Sequence, residues 1–477
     1  MRIRIRFSKI GRVRWTSHRD VARMWERALR RSGLPVAWSQ GFSPRLLISF
    51  GLALPTGCES EAEYLDVHLP EPGAGAWGLE GADDRATTAL CAGVQAIGGG
   101  LGWSAVPALM PAISRDLGVS HAMGGLVWGA ASLGIALASP FGGAAVDRFG
   151  PRRVASAALV FGAIACAARA AVHGPWGLAV TMLAFGAHIG FVAPAIPKAL
   201  AAEVEPSKLA RANGIALLGY TLGTALTVLV AGAWLAPALG GWRPTMILAA
   251  VAMLGAAASW GTLLSDRPVA FKHAGLRATI ALARNGALLR IAAMHFLLFG
   301  GYLALLGMLP RLLMERGMPL SRVGIAVATW LACAAIANVV GPVISDRLRR
   351  RRVVLVGGAA VAGLALAGFA AAPANSALAC LSIAALGGGC VAPLLLAMPA
   401  ELEGVGPARV GAALGLLMLV GQMGGFILPM VAGVVAQSGN VTAALAFLAL
   451  VHLAILVPAS GVVDARDAEG DALAARS

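Results

Sequence analysis

Charge is what this 477-residue chain lacks most. Only 13% of its residues are Asp, Glu, Lys or Arg, while 58% are hydrophobic. A water-soluble domain carries about 25% charged residues. So little charge cannot cover an aqueous surface of this length, and lipid must solvate much of the chain. Tyrosine is scarce, at 3 residues, and the 6 cysteines (Cys58, Cys91, Cys166, Cys333, Cys380 and Cys390) form no CxxC pair. That spacing excludes a thiol-redox or zinc-ribbon motif and leaves small buried hydrophobes. HExxH and GxSxG are missing, as are paired carboxylates inside apolar segments, so no catalytic constellation of a membrane enzyme is legible and no cofactor is expected. Nor does a signal peptide open the chain, because the first 33 residues carry Arg throughout and lack a continuous apolar core.

Glycine and positive charge are abundant: 61 Gly, and a formal net charge of +15. Glycine at this density suits helices packed closely in a membrane. A basic excess in a soluble protein would suggest nucleic acid. Here its placement decides otherwise.

Residues 1–69 differ from the rest. Arg2, Arg4 and Arg6 alternate with Ile3, Ile5 and Phe7, the period of a half-buried strand. Ser17 followed by Asp20 predicts a helix N-cap, and Gly33 and Pro35 end that helix near Arg31. "VAWSQ", "LLISFGLAL" and "EYLDVHL" read as short strands. A Gly-, Ala- and acid-rich linker follows at 70–85.

Beyond it lie twelve apolar stretches long enough to cross a bilayer: roughly 86–112, 121–146, 154–172, 176–200, 211–236, 243–263, 288–313, 321–345, 353–371, 375–399, 409–435 and 440–460. They are spans 1 to 12. Basic residues crowd alternate loops: Arg148, Arg152 and Arg153 after span 2, Lys208 and Arg211 after span 4, Arg267, Lys272, Arg277 and Arg284 after span 6, and Arg347 with Arg349 to Arg352 after span 8. The other loops are sparser. The distribution predicts those four loops and both termini on the cytoplasmic side of the cytoplasmic membrane. It absorbs the basic excess of the membrane part without nucleic acid.

The spans repeat. "GGAAVDRFGPRRV" after span 2 answers "GPVISDRLRRRRV" after span 8, with Asp147 and Asp346 separated by 199 residues, and "VAP" recurs at 192–194 and 391–393 with the same offset. This predicts an all-α membrane protein of two six-helix bundles, 86–264 and 288–460, joined by a cytoplasmic loop at 265–287 and ending in a tail at 461–477. Such a parallel repeat is a secondary-transporter plan with its substrate site between the bundles near the midplane.

Polar side chains inside spans are costly and face a cavity or another helix. The candidates are Gln95, His188, Tyr220, Tyr302, Asn338 and Gln422, with His295 nearer a helix end. His188 is mid-span and titrates near neutral pH, which marks it for a coupling proton or for anion contact. Asp and Glu are absent from the depths of the spans, so a neutral, weakly anionic or amphipathic small molecule is expected rather than a cation. "GYTLGTAL" (219–226) in span 5 holds a GxxxG step at Gly219 and Gly223, a signal of close helix packing.

Gly143, Asp147, Arg148, Gly150, Arg152 and Arg153 together resemble the cytoplasmic loop motif of the major facilitator superfamily. The second copy keeps Asp346, Arg347, Arg351 and Arg352 but has Pro342 and Arg349 in the glycine slots. The resemblance covers about 86–460. It implies a monomeric carrier of a small molecule in the lipid bilayer, working by alternating access, with the two loops as a latch for the outward-open state. Span 4 lacks the Arg that many proton-coupled drug antiporters of that family carry. Residues 1–69 resemble the start of an uncharacterised bacterial family described as radical-SAM-linked, through "RIRFSKIGRVRWTSHRD", "WERALRRSGLPVAWSQGFSPR" and "SFGLALPTGCESEAEYLDV". The alternative function is therefore a chimera whose soluble head has an RNA- or enzyme-accessory role of its own.

Overall fold

A computed structural model describes residues 2–32, 36–37, 46–50, 58–68, 84–205, 208–264, 282, 284–371, 376–402 and 405–462. The chain divides into two compact units, Met1–Gly81 and Ala82–Ser477.

The head is a three-stranded antiparallel sheet with one helix. Strand β1 is Arg2–Lys9, α1 is His18–Arg31, β2 is Ile48–Phe50 and β3 is Ser60–His68, in sheet order β1-β3-β2. The alternation read in the sequence sets the register. Ile3 pairs with Val67 and Ile5 with Leu65, while Arg4 faces Asp66 and binds it through two hydrogen bonds of 2.8 and 3.1 Å. Leu65 and Val67 are wholly buried and pack with Leu29 of α1. The Ser17 hydroxyl caps α1 by accepting from the Asp20 N–H at 3.2 Å, and it donates to the Asp20 carboxylate at 2.6 Å. That hydrogen bond holds the Asp20 carboxyl below its ordinary value. Ala37 and Leu47 bond to the sheet edge, the Ala37 N–H donating to the His68 carbonyl at 2.7 Å. The rest of the strand expected at "VAWSQ" lies outside the described residues.

The second unit holds twelve helices long and apolar enough to cross a membrane: Asp84–Leu117, His121–Phe149, Pro151–Ala170, Pro175–Glu203, Arg211–Leu239, Trp242–Leu263, Gly286–Glu315, Leu320–Leu348, Arg351–Ala371, Ala377–Ala400, Ala412–Gly439 and Val441–Ser460. Their outward faces are oily, with Leu137, Phe141, Leu217 and Trp234 each at least 60% exposed. Only a lipid solvent makes such a surface stable. Most of the expected linker, central loop and tail lie outside the described residues.

Backbones meet where the glycines predict. A Cβ added at Gly223 of span 5 would lie 2.5 Å from the Ala96 Cα of span 1, so only glycine permits this approach. From Ala96 to Ser104, span 1 winds as a π-helix. That winding leaves carbonyls to be satisfied by side chains. Ser104 Oγ donates to the Gly99 carbonyl at 2.9 Å, and Arg169 of span 3 donates to the Gly102 carbonyl at 2.6 Å.

Candidate functional site

The two halves of the second unit are fastened at the end away from the Asp147 and Asp346 loops. Trp128 of span 2 donates its indole N–H to the Leu303 carbonyl of span 7 at 2.7 Å. Arg311 of span 7 donates to the Ser114 hydroxyl of span 1 at 3.3 Å and to the Val119 carbonyl at 3.1 Å. It also holds Glu315 at 2.9 Å, and Glu315 in turn pairs with His121 of span 2 at 3.2 Å. The Gln437 side-chain carbonyl of span 11 accepts from the Ala122 N–H at 3.1 Å. Small residues admit this closeness. A Cβ at Gly129 would stand 2.6 Å from the Phe426 carbonyl oxygen.

At the opposite end, the polar contacts described here stay within one half. Asp147 forms an ion pair with Lys198 of span 4. Arg152 donates to the Gly261 carbonyl of span 6 at 2.7 Å, and the Trp260 indole donates to the Pro151 carbonyl at 3.2 Å. Gly143 is buried, Arg148 lies over the Phe149 ring, and Arg153 is exposed. In the second half, Arg351 grips Glu401 with hydrogen bonds of 2.7 and 2.5 Å and stands 3.7 Å from the largely exposed Asp346. Arg347 is exposed beside it. Below the spans, Asp84 and Glu205 lie 3.0 and 3.1 Å from the Lys208 ammonium and push its proton affinity above the ordinary value.

Three polar candidates come together at mid-height. Gln95, His188 and Tyr220 line one recess with Val94, Gly98, Gly99, Trp103, Leu159, Ile189, Val192 and Ala193. Span 1 contributes the π-helical glycines, span 4 the histidine and span 5 the tyrosine. His188 Nδ1 lies 2.5 Å from the Phe185 carbonyl, and the two rings meet edge to face at 4.3 Å. Tyr302 of span 7 is within electrostatic range of Tyr220 and stacks on Trp330 at 5.2 Å. Gln422 has a buried side-chain carbonyl without a hydrogen-bond partner, as does His295 at Nδ1. Asn338 is exposed and does not line the recess.

Two cations escaped the reading of the sequence. Arg169 is fully buried, with its guanidinium 4.3 Å over the Phe185 ring and no hydrogen-bond partner at Nε or Nη2. Lys198, 6% exposed, is the partner of Asp147. Both were visible as charges inside apolar runs, which is a signal by itself. Glu203 ends span 4, and Glu205, two residues on, pairs with Lys208 at 3.1 Å. Among the described residues, no group of His, Cys, Asp and Glu has the arrangement of a metal site.

The sequence pattern of the Major Facilitator Superfamily matches residues 93–402 and, in a second alignment, 291–474. The chain belongs to the major facilitator superfamily. A second pattern, described as an uncharacterised protein conserved in bacteria, matches residues 2–110 and so takes in the head. No curated protein matches the chain significantly. Among solved structures, this facilitator resembles a bacterial homologue of the human lysosomal transporter Spinster in an inward-facing, occupied conformation. The TM-score is 0.66 at 17% identity, over 79% of this chain and 94% of that one. The same homologue, inward-facing and unoccupied, gives 0.67 at 16%, over 81% and 96%. The nucleoside transporter NupG gives 0.67 at 14%, over 79% and 98%. At these identities the likeness shows the fold. The facilitator is thus a multi-pass protein of a membrane-transport family.

Proposed function

We propose that the chain is a secondary transporter that moves a small neutral, weakly anionic or amphipathic molecule by alternating access. One observation carries this reading. The halves are bonded together at one end, a polar recess lies at mid-height, and the described polar contacts at the other end remain within each half. Fastening at one end beside a mid-height recess supports a carrier whose two halves rock against each other.

In the other state the fastened end opens and the motif loops meet. Asp147, Arg148, Arg152 and Arg153 of the first half, and Asp346 and Arg347 of the second, then act as the latch. Gly143 and Gly150 let the loop backbones approach. The alternate-loop arginines favour that end, and both termini, on the cytoplasmic side of the cytoplasmic membrane. In this reading the fastened end faces outward, as it would in an inward-facing state. The unit of function is a monomer, since each chain holds both halves. His188 is the group to bind a coupling proton, being the imidazole of the recess.

The test is reconstitution. Spin labels at residues 118 and 317 report the fastened end, and labels at 149 and 349 report the motif end. Both distances should become bimodal in liposomes, with opposite changes. A single rigid distance at each end, across substrate panels and pH gradients, would refute alternating access.

A further inference from the structure

The head carries an apolar tip that its own fold leaves bare. Where β1 ends, a single 3-10 turn, Gly11–Trp15, leads the chain into α1. Ile10 is 51% exposed, Val13 36% and Trp15 64%. Three large apolar side chains so close in the chain differ from the single exposed residues that any surface shows. Gly11 has φ +63°, and a Cβ built on it would meet no atom within 4 Å, so the turn borders open space. The Arg14 guanidinium lies 4.9 Å over the Trp15 ring and pairs with Glu59 at 3.1 Å, which holds the turn beside the start of β3.

The charge around this tip is positive. Residues 1–69 hold 12 Arg and Lys against 6 Asp and Glu. Glu59, Glu61, Glu63 and Asp66 lie on β3 or just before it, where Arg14 and Arg4 meet two of them. That leaves α1 basic. Its exposed residues Arg23, Arg27 and Arg31 recur every four positions, so they lie along one face of the helix with Met24 beside them. Asp20 answers one of these, 4.0 Å from Arg23. Aliphatic side chains add little to a nucleic-acid surface, which stacks bases on aromatic rings. An anionic bilayer takes both parts: apolar groups and Trp at the headgroup level, and arginines on phosphates.

A bilayer is also within reach. Lys9 pairs with Ser60 at one end of the sheet and Arg2 with His68 at the other. The chain therefore leaves the head opposite the turn, about 26 Å away along β3. Residues 69–83, before the first span, can stretch over about 50 Å. A weak surface suffices once another anchor, here the twelve spans, keeps it close.

We propose that the Gly11–Trp15 turn seats Ile10, Val13 and Trp15 in the headgroup layer of an anionic bilayer, with the adjoining basic face of α1 drawn to lipid phosphates. The proposal needs the spans in a membrane and is independent of the transport reading.

The experiment uses the full chain in nanodiscs of phosphatidylcholine, alone or mixed with phosphatidylglycerol. A nitroxide at residue 13 is introduced by Val13→Cys in a Cys58→Ser background, whose residual signal is subtracted. Oxygen reports its contact with lipid, and a nickel chelate its contact with water. In the mixed discs oxygen contact should rise and nickel contact fall, and high salt should reverse both. A label at residue 49, on the open face of the sheet, should stay in water throughout. Arg23→Gln, Arg27→Gln and Arg31→Gln together should lower the ratio of lipid-bound to free head about tenfold or more. The salt reversal tests the same charge without any variant in α1. A label at 13 that stays in water in both discs overturns the proposal, as does equal lipid contact in both, or a label at 49 that enters lipid instead. Shielding of residue 13 by single-stranded RNA in the neutral discs, at the salt that frees it from lipid, would assign this face to nucleic acid and overturn it as well.

Discussion

Gly150 and Arg349 hold the same place in the two halves, 199 residues apart, and both have a positive φ, 85° and 53°. Each sits in the turn after its aspartate, between two spans. Glycine adopts this backbone freely, whereas a residue with a Cβ is strained there by about 1–2 kcal/mol. Arg349→Gly should therefore stabilise the protein by about 1 kcal/mol, seen as a raised melting temperature in detergent. Gly150, at ψ 154° where Arg349 has ψ 32°, lies in a region nearly closed to other residues, so Gly150→Arg should destabilise by more, about 1–3 kcal/mol. Equal and small effects of both would show that the turns are not strained.

Lys198 and Asp147 form a partly buried pair within the first half. Lys198→Met leaves a carboxylate facing apolar surroundings, and Asp147→Asn leaves an ammonium. Each single change should destabilise the protein, while the double variant should recover part of the loss. A coupling of about 1–3 kcal/mol in a double-mutant cycle is expected for groups in direct contact. Additive effects would contradict the pairing.

The fastened end depends on Arg311, which joins span 7 to Ser114 and Val119. Arg311→Ala should shift the equilibrium toward separation of that end. A shift of about 1–3 kcal/mol is expected, about five- to 150-fold in population. Spin labels at 118 and 317, which leave Arg311 and Ser114 in place in the parent, give the distance distributions of parent and variant that measure it. An unchanged distribution would mean that Trp128 and the glycine contacts suffice.

The cap of α1 gives a pH-dependent outcome. The folded Asp20 carboxyl titrates below its unfolded value of about 4. Its stabilising contribution is therefore present above that pH and lost as acid carries the pH down through the folded value. Ser17→Ala should destabilise α1 by about 1 kcal/mol near neutrality and by less at pH 3. Limited proteolysis between residues 18 and 31 in the full chain reads this. Removing residues 1–81 should leave transport intact, measured by uptake into proteoliposomes, because the recess and both latch loops lie wholly in the second unit.

Much of this architecture was legible because lipid imposes a simple rule. The twelve spans, the helix over 18–31 and the GxxxG approach at Gly223 follow from apolar length, capping and residue size. Gln95, His188 and Tyr220 were legible as polar residues in spans, but their convergence was not, because periodicity gives a face and no partner. Arg169 and Lys198 were harder still. Their long stems carry the charge away from the backbone position, toward Gly102 and Asp147, so the level at which each charge acts differs from the level at which it is written. The clasp of His121, Arg311 and Glu315 joins residues nearly 200 positions apart and becomes visible only when the halves are packed.

The contact of Gly223 with Ala96 has one more consequence. A seam built from backbone atoms has no side-chain rotamers to exchange and no methylene to slide. Spans 1 and 5 must then travel as one stiff plank, and two walls of the recess travel with them. Any change in the shape of the recess must therefore come from span 3 or span 4, and probes fixed to spans 1 and 5 should stay at constant separation while pairs that include span 3 or span 4 breathe.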